Sequence, residues 1–155
     1  MFEKILVCLD GSILAEQILP YAVEQAKRFN SSMVLLQAYM VSSMELAAAT
    51  PGGTVVNSQV LQQEDQRLKN EAAVYLEEVA EQLREEGLDV ACVVLHGVAG
   101  DVIVSYAQNE PVDLIALATH GHSGLGRIVF GSVAGHVLRE SGLPILVIKP
   151  QEIED

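Results

Sequence analysis

The chain has 155 residues, half of them hydrophobic, and a formal net charge of −12. That length and apolar content suit one domain with a substantial buried core. The charge balance argues against nucleic acid and anionic membrane surfaces as partners, whereas a small phosphate ligand is repelled only weakly, because salt screens the field beyond about 8 Å.

Residues 1–4 run directly into an apolar strand-like segment, with no basic leader and no cleavage site. No apolar run approaches the roughly 18 residues of a membrane span, so a cytoplasmic protein is expected, without membrane association. Cys8 and Cys92 each lie inside an apolar run and read as buried, inert thiols without metal-ligand spacing. Asn30-Ser31-Ser32 matches a glycosylation acceptor, which is read as chance in the absence of a secretion signal.

Residues 5–9 form the first expected strand, continuously apolar as in a sheet covered on both faces. Asp10-Gly11-Ser12 breaks it and supplies a cap. A helix then follows to Phe29, with Leu14, Ile18, Leu19, Ala22 and Ala26 at helical spacing. Pro20 sits inside this run and predicts a kink or a new first turn. Residues 33–39 are the second strand. Residues 40–63, low in charge and containing Pro51-Gly52-Gly53, are expected to be a long mobile excursion within a single domain spanning 1–150. An amphipathic helix follows, with Leu68, Ala72, Tyr75, Leu76, Val79 and Leu83 on one face and glutamates on the other; Gly87 ends it. Residues 90–95 are the third strand, 98–108 a short helix, and 112–118 the fourth strand. A helix from Ser132 leads to the fifth strand, 144–148, and an acidic tail at 151–155.

Strands alternating with helices predict a parallel sheet with right-handed crossovers and helices on both faces. Ligands of such sheets bind at the carboxyl ends of strands where the strand order reverses. The first strand ends in Asp10-Gly11-Ser12 and the fourth in Thr119-His120-Gly121-His122-Ser123-Gly124-Leu125-Gly126, so these two strands are expected to be neighbours. The span from Thr119 to Ser132 crowds four glycines between a strand and a helix, with Ser132 as expected N-cap. This is a phosphate-wrapping arrangement: glycine permits close backbone approach, and a helix N-terminus offers free N–H groups and a positive dipole end.

Other phosphate and catalytic motifs fit poorly. Arg127 and Ile128 follow Gly126 where a P-loop needs Lys and Ser/Thr, and no dinucleotide G-x-G-x-x-G or G-x-S-x-G elbow is present. His120 and His122 could pair on a metal, hydrogen-bond phosphate or face solvent; no further ligand lies nearby, so no metal site is assigned. His136 reads as structural. Asp10 either caps the first helix or, if Ser12 is the cap, accepts hydrogen bonds from a ribose or base.

These residues resemble the universal stress protein family, specifically its nucleotide-binding branch. The likeness runs through residues 5–12, the helix at 15–22, the segment after the second strand, 118–132 and 144–148. The family's motif is G-x-x-G-x9-G-(S/T). Gly121, nine intervening residues, Gly131 and Ser132 match its second half, with Ala118 at the first glycine position. The resemblance implies a Rossmann-like sandwich of the adenine-nucleotide α-hydrolase type, with a five-stranded parallel sheet in order 3-2-1-4-5. It implies that Cys8, Leu9 and Asp10 line the adenine and ribose pocket and that Ala38 packs near the base. Gly121, Gly131, Ser132 and Val133 would hold phosphates, and Gly97 would begin a loop bordering the nucleotide. It also implies a homodimer joined through 144–148.

The expected function is therefore an adenine-nucleotide-binding regulator of stress physiology. ATP is the first choice and AMP, ADP or a cyclic nucleotide come behind it; Mg²⁺ is carried by the nucleotide, and a conformational change alters engagement of a protein partner. Two alternatives stand beside it. One is a slow ATPase in which Asp10 or His120 positions water, although no base–nucleophile pair occurs at fixed spacing. The other is a ligand-free dimeric interaction module.

Overall fold

The computed structural model describes residues 1–49, 52, 57–119 and 131–153. Its elements run β1 (Lys4–Cys8), α1 (Ile13–Glu16), α2 (Leu19–Phe29), β2 (Ser32–Tyr39), α3 (Ser43–Ala49), α4 (Ser58–Glu85), β3 (Val90–His96), α5 (Ala99–Asn109), β4 (Leu114–Ala118), α6 (Ser132–Glu140) and β5 (Ile145–Ile148). The five strands form one sheet in the order β3-β2-β1-β4-β5, and every pairing is parallel.

The strands are continuously apolar because both faces are covered. Ile5, Val7, Leu9, Met33, Leu35, Leu114 and Ala116 face a core completed by Ala15 and Ile18, by Ala22 and Ala26 of α2, and by Leu76, Ala80 and Leu83 of α4. The alternate residues Leu6, Cys8, Val34, Leu36, Ile115 and Leu117 face Ile103, Val104 and Ala107 of α5 and Ala134 and Val137 of α6. Each fully buried Leu or Ile in these layers contributes about 1.5–3 kcal/mol of transfer free energy. The strand ends are tied by specific polar contacts. Asp113 Oδ2 accepts from the backbone N–H groups of Glu3 and Lys4 at 2.8 and 2.9 Å. After β5, Gln17 and Gln151 exchange two hydrogen bonds, Nε2 to O and N to Oε1, both 2.8 Å.

Of the outcomes expected at Pro20, the structure has the new first turn: the run from Asp10-Gly11-Ser12 to Phe29 is two helices, and Pro20 lies in the first turn of α2, where its missing N–H costs nothing. Other sequence expectations change. The excursion at 40–63 contains α3 and the first turns of α4, which begins at Ser58 with Asn57 Oδ1 accepting from Val60 N. Val112 and Asp113 precede β4 instead of opening it. Ser132 is the first helical residue of α6, and Gly131 is its N-cap. Among the described residues no helix is long and apolar enough to cross a membrane.

Candidate functional site

The carboxyl ends of β1, β2 and β4 open onto one cleft. Its walls are Cys8, Leu9 and Asp10 from the end of β1, Leu36 and Ala38 from β2, and Leu117, Ala118 and Thr119 from the end of β4. Helix starts complete it: Ala15 of α1, Ala99 and Ile103 of α5, and Gly131, Val133 and Ala134 of α6. The strand order reverses here, since β1 lies between β2 and β4.

Each side of the cleft has a distinct chemistry. The floor is apolar: Cys8 and Leu9 are buried, and Leu9 N donates to Leu36 O at 2.9 Å, extending the β1–β2 pairing one residue further. Burial pushes the Cys8 thiol up to about 12, so it stays neutral and acts as a small hydrophobe. Asp10 is held by a turn. Its Oδ1 accepts from Ser12 N at 2.9 Å and from Ser12 Oγ at 2.6 Å. Gly11 at the middle of this turn has φ +85°, a conformation that L side chains rarely adopt. Ser12 does cap α1, its Oγ accepting from Ala15 N at 3.1 Å. Of the two expected caps, Ser12 is the one observed, and its hydroxyl also donates to Asp10.

Opposite this turn stands the start of α6. Gly131 caps it without any side-chain hydrogen bond, and the first intrahelical bond is Gly135 N to Gly131 O at 2.9 Å. The N–H groups of the first turn, at Ser132, Val133 and Ala134, thus have no acceptor within the helix. α5 also begins without a side-chain cap, with Ala99 bordering the cleft. Two helix N-termini therefore bring positive dipole ends to the same place, which favours an anion despite the acidic charge of the chain.

The residues singled out by sequence divide clearly. Cys8, Leu9, Asp10, Ala38, Thr119, Gly131 and Val133 come together in the cleft. Ser12 and Ser132 flank it without lining it. Gly97 follows β3, donating to Tyr39 O at 2.9 Å, and lines a neighbouring groove, while its near neighbour Ala99 reaches the cleft. His120, Gly121, His122, Gly124, Gly126 and Arg127 lie outside the described residues. Sequence reasoning missed Ala15, Leu36, Ala99, Ile103, Leu117 and Ala134, which carry no signal that separates a cleft wall from a core. His136 packs between α5 and α6, its Nε2 3.0 Å from Asp101 Oδ1. Among the described residues, no group of three or more His, Cys, Asp and Glu side chains could hold a metal ion.

A profile of the universal stress protein family matches residues 1–149, and the chain belongs to that family. Universal stress protein MJ0531 of Methanocaldococcus jannaschii is 29% identical over 154 residues, covering 99% of this chain and 86% of that one. Universal stress protein MJ0577 of the same organism is 29% identical over 156 residues, covering 96% of each. The solved structure of MJ0577 matches with a TM-score of 0.73 at 25% identity over 99% of both chains. Two ligand-bound structures share the fold. A universal stress protein in complex with cAMP matches with a TM-score of 0.68 at 19% identity, over 97% of this chain and 98% of that one. A universal stress family protein of Arabidopsis thaliana with AMP bound gives 0.62 at 18% identity, over 96% and 92%.

Proposed function

We infer that the chain is an adenine-nucleotide-binding regulator, with the base and ribose among Cys8, Leu9, Asp10 and Ala38 and the phosphates at the start of α6. The observation that carries this reading is the meeting, in one cleft, of apolar walls, a fixed carboxylate and two helix N-termini without side-chain caps. The apolar walls suit a planar base, Asp10 suits a hydroxyl or amino donor, and the α6 amides suit phosphate oxygens. Relatives of the same fold hold cAMP and AMP. ATP is our first choice, with AMP, ADP or a cyclic nucleotide next and any Mg²⁺ carried by the nucleotide. His120 and Gly121 complete the proposed phosphate loop with Thr119, Gly131, Ser132 and Val133; Ser12 supports Asp10, and Gly97 leads into α5.

The action we propose is conformational: the ligand changes the population of states at the cleft and thereby which partner is engaged. The functional unit would be a homodimer through β5, an edge strand whose four residues are only half buried. The free thiols of Cys8 and Cys92 fit a reducing compartment such as the cytoplasm. The test is to purify the protein without added nucleotide, denature it, and analyse the supernatant by anion exchange with mass detection. A stoichiometric adenine nucleotide supports the reading. An empty protein that also gives no heat with ATP–Mg²⁺, AMP or cAMP in calorimetry overturns it and favours a ligand-free module.

A further inference from the structure

We propose that the open edge of β3 and the groove beside α5 form a docking site for an extended, lysine- or arginine-rich segment of another protein, which adds as a strand to the sheet. β3 is the last strand on its side of the sheet. Gly97 N donates to Tyr39 O and Met33 N donates to Asp89 O, so the odd-numbered residues of this stretch bond to β2. The alternating pattern of a parallel pair then turns the N–H and C=O groups of Val90, Cys92, Val94 and His96 away from β2. Among the described residues Arg84 blunts only the first of these, donating from Nε and Nη2 to Val90 O at 3.0 and 2.8 Å. Cys92 to His96 remain as a template about 13 Å long, without the lysine or proline that commonly guards an edge.

A groove of about 570 Å³ runs alongside. Leu95, Val98, Val102 and Tyr106 give it an apolar wall, and Val98 is 55% exposed. Asp101 and Glu110 supply its charge, and among the described residues no Lys or Arg lines it. Main-chain pairing gives such a site affinity, and its side-chain contacts select the sequence. The acidic rim of Asp101 and Glu110 selects a basic segment over a neutral or acidic one. The groove is independent of the nucleotide reading, yet α5 joins the two sites: Ala99 and Ile103 face the cleft, and Val98 and Val102 face the groove.

The test uses the ¹⁵N-labelled full chain and a short capped peptide of alternating lysine and valine, with a counterpart carrying glutamate for lysine. The lysine peptide is expected to slow amide exchange at Cys92, Val94 and His96 by about tenfold or more, with shifts concentrated in β3 and α5. Val94→Pro deletes an outward N–H while leaving the β2 ladder intact, and should weaken the lysine peptide about tenfold. Should that variant not fold, Glu110→Lys on the exposed rim serves instead, and an unchanged affinity there overturns the proposal. Unchanged exchange at the three amides also overturns it, as does an equal response to the glutamate peptide. So does a response spread over Glu77, Glu78, Glu81 and Glu85 of α4. Protection of the same amides on raising the protein concentration alone would assign the edge to a second copy and reject a basic partner.

Discussion

Gly100 and His136 meet where α5 crosses α6. A β-carbon added to Gly100 would stand 2.9 Å from Cδ2, 3.2 Å from Cγ and 3.3 Å from Cβ of His136. The collision reaches the root of the side chain, so rotating the ring relieves only part of it. The ring atom next to Cδ2 is engaged, with Nε2 3.0 Å from Asp101 Oδ1. In an open helix, Gly→Ala stabilises by about 0.5–1 kcal/mol. Here Gly100→Ala is expected to destabilise by about 1–3 kcal/mol, because overpacking outweighs helix propensity. Urea unfolding of Gly100→Ala alone and together with His136→Ala checks the cause. The double variant should recover the ordinary helical gain, and a stabilised single variant would show that the helices part easily.

Gly131 has φ −51° and ψ 155°, backbone angles open to any residue, so its side chain can be changed without straining the chain. Gly131→Val places a branched side chain at the mouth of the cleft, above the first amides of α6. Adenine-nucleotide affinity should fall by at least about tenfold with the melting temperature little changed. Calorimetry with ATP–Mg²⁺, AMP and cAMP measures it, alongside a thermal melt. Undiminished affinity in a folded variant would remove the phosphate role from this helix.

That strands 1 and 4 are neighbours was legible because chemistry collects where they end, and they do pair, Ile5 opposite Leu114 and Val7 opposite Ala116; the rest of the order was implied by the family resemblance. The start of α4 was not. Between Ser58 and Glu71 only Val60, Leu61 and Leu68 are large and apolar, and Val60 is 37% exposed. Periodicity reports burial, and a helix half that buries little leaves little periodicity. Its start was instead written in a cap, Asn57 to Val60 N, a pattern as common in turns as in helices. At α6 the residue preference misled: Ser132 suits an N-cap by type, but the chain turns into the helix one residue earlier, at Gly131. Ala99, Ala134 and Ile103 could not be read as cleft residues, because alanine and isoleucine look alike in a wall and in a core.

Asp113 just before β4 joins the two central strands. Its Oδ2 accepts from Glu3 N and Lys4 N at 2.8 and 2.9 Å, and its own N–H donates to Lys4 O at 2.9 Å. Asp113→Ala leaves two backbone donors at the start of β1 to water, at a cost of about 1–2 kcal/mol given their partial exposure. Asp113→Asn keeps a carbonyl acceptor and should restore about half of that loss. Chemical denaturation of the two variants compares them, and equal midpoints for Ala and wild type would mean that solvent replaces the carboxylate at no cost.

Cys8 sets an alkaline limit on stability. Burial raises its thiol from 9.0 to about 12 in the folded chain. Below pH 9 the thiol is neutral whether folded or unfolded, so it contributes no pH dependence there. Between pH 9 and about 12 the unfolded chain releases the proton and the folded chain keeps it, so stability falls as pH rises. The slope from this one group approaches about 1.4 kcal/mol per pH unit at most. Cys8→Ala removes the group, adding a constant packing loss but flattening the alkaline slope. Urea midpoints of wild type and variant at pH 8 and above pH 10 separate the two effects. Parallel curves across that range would mean that Cys8 ionises in place, and a thiol reagent reacting as fast with the native as with the unfolded chain would say the same.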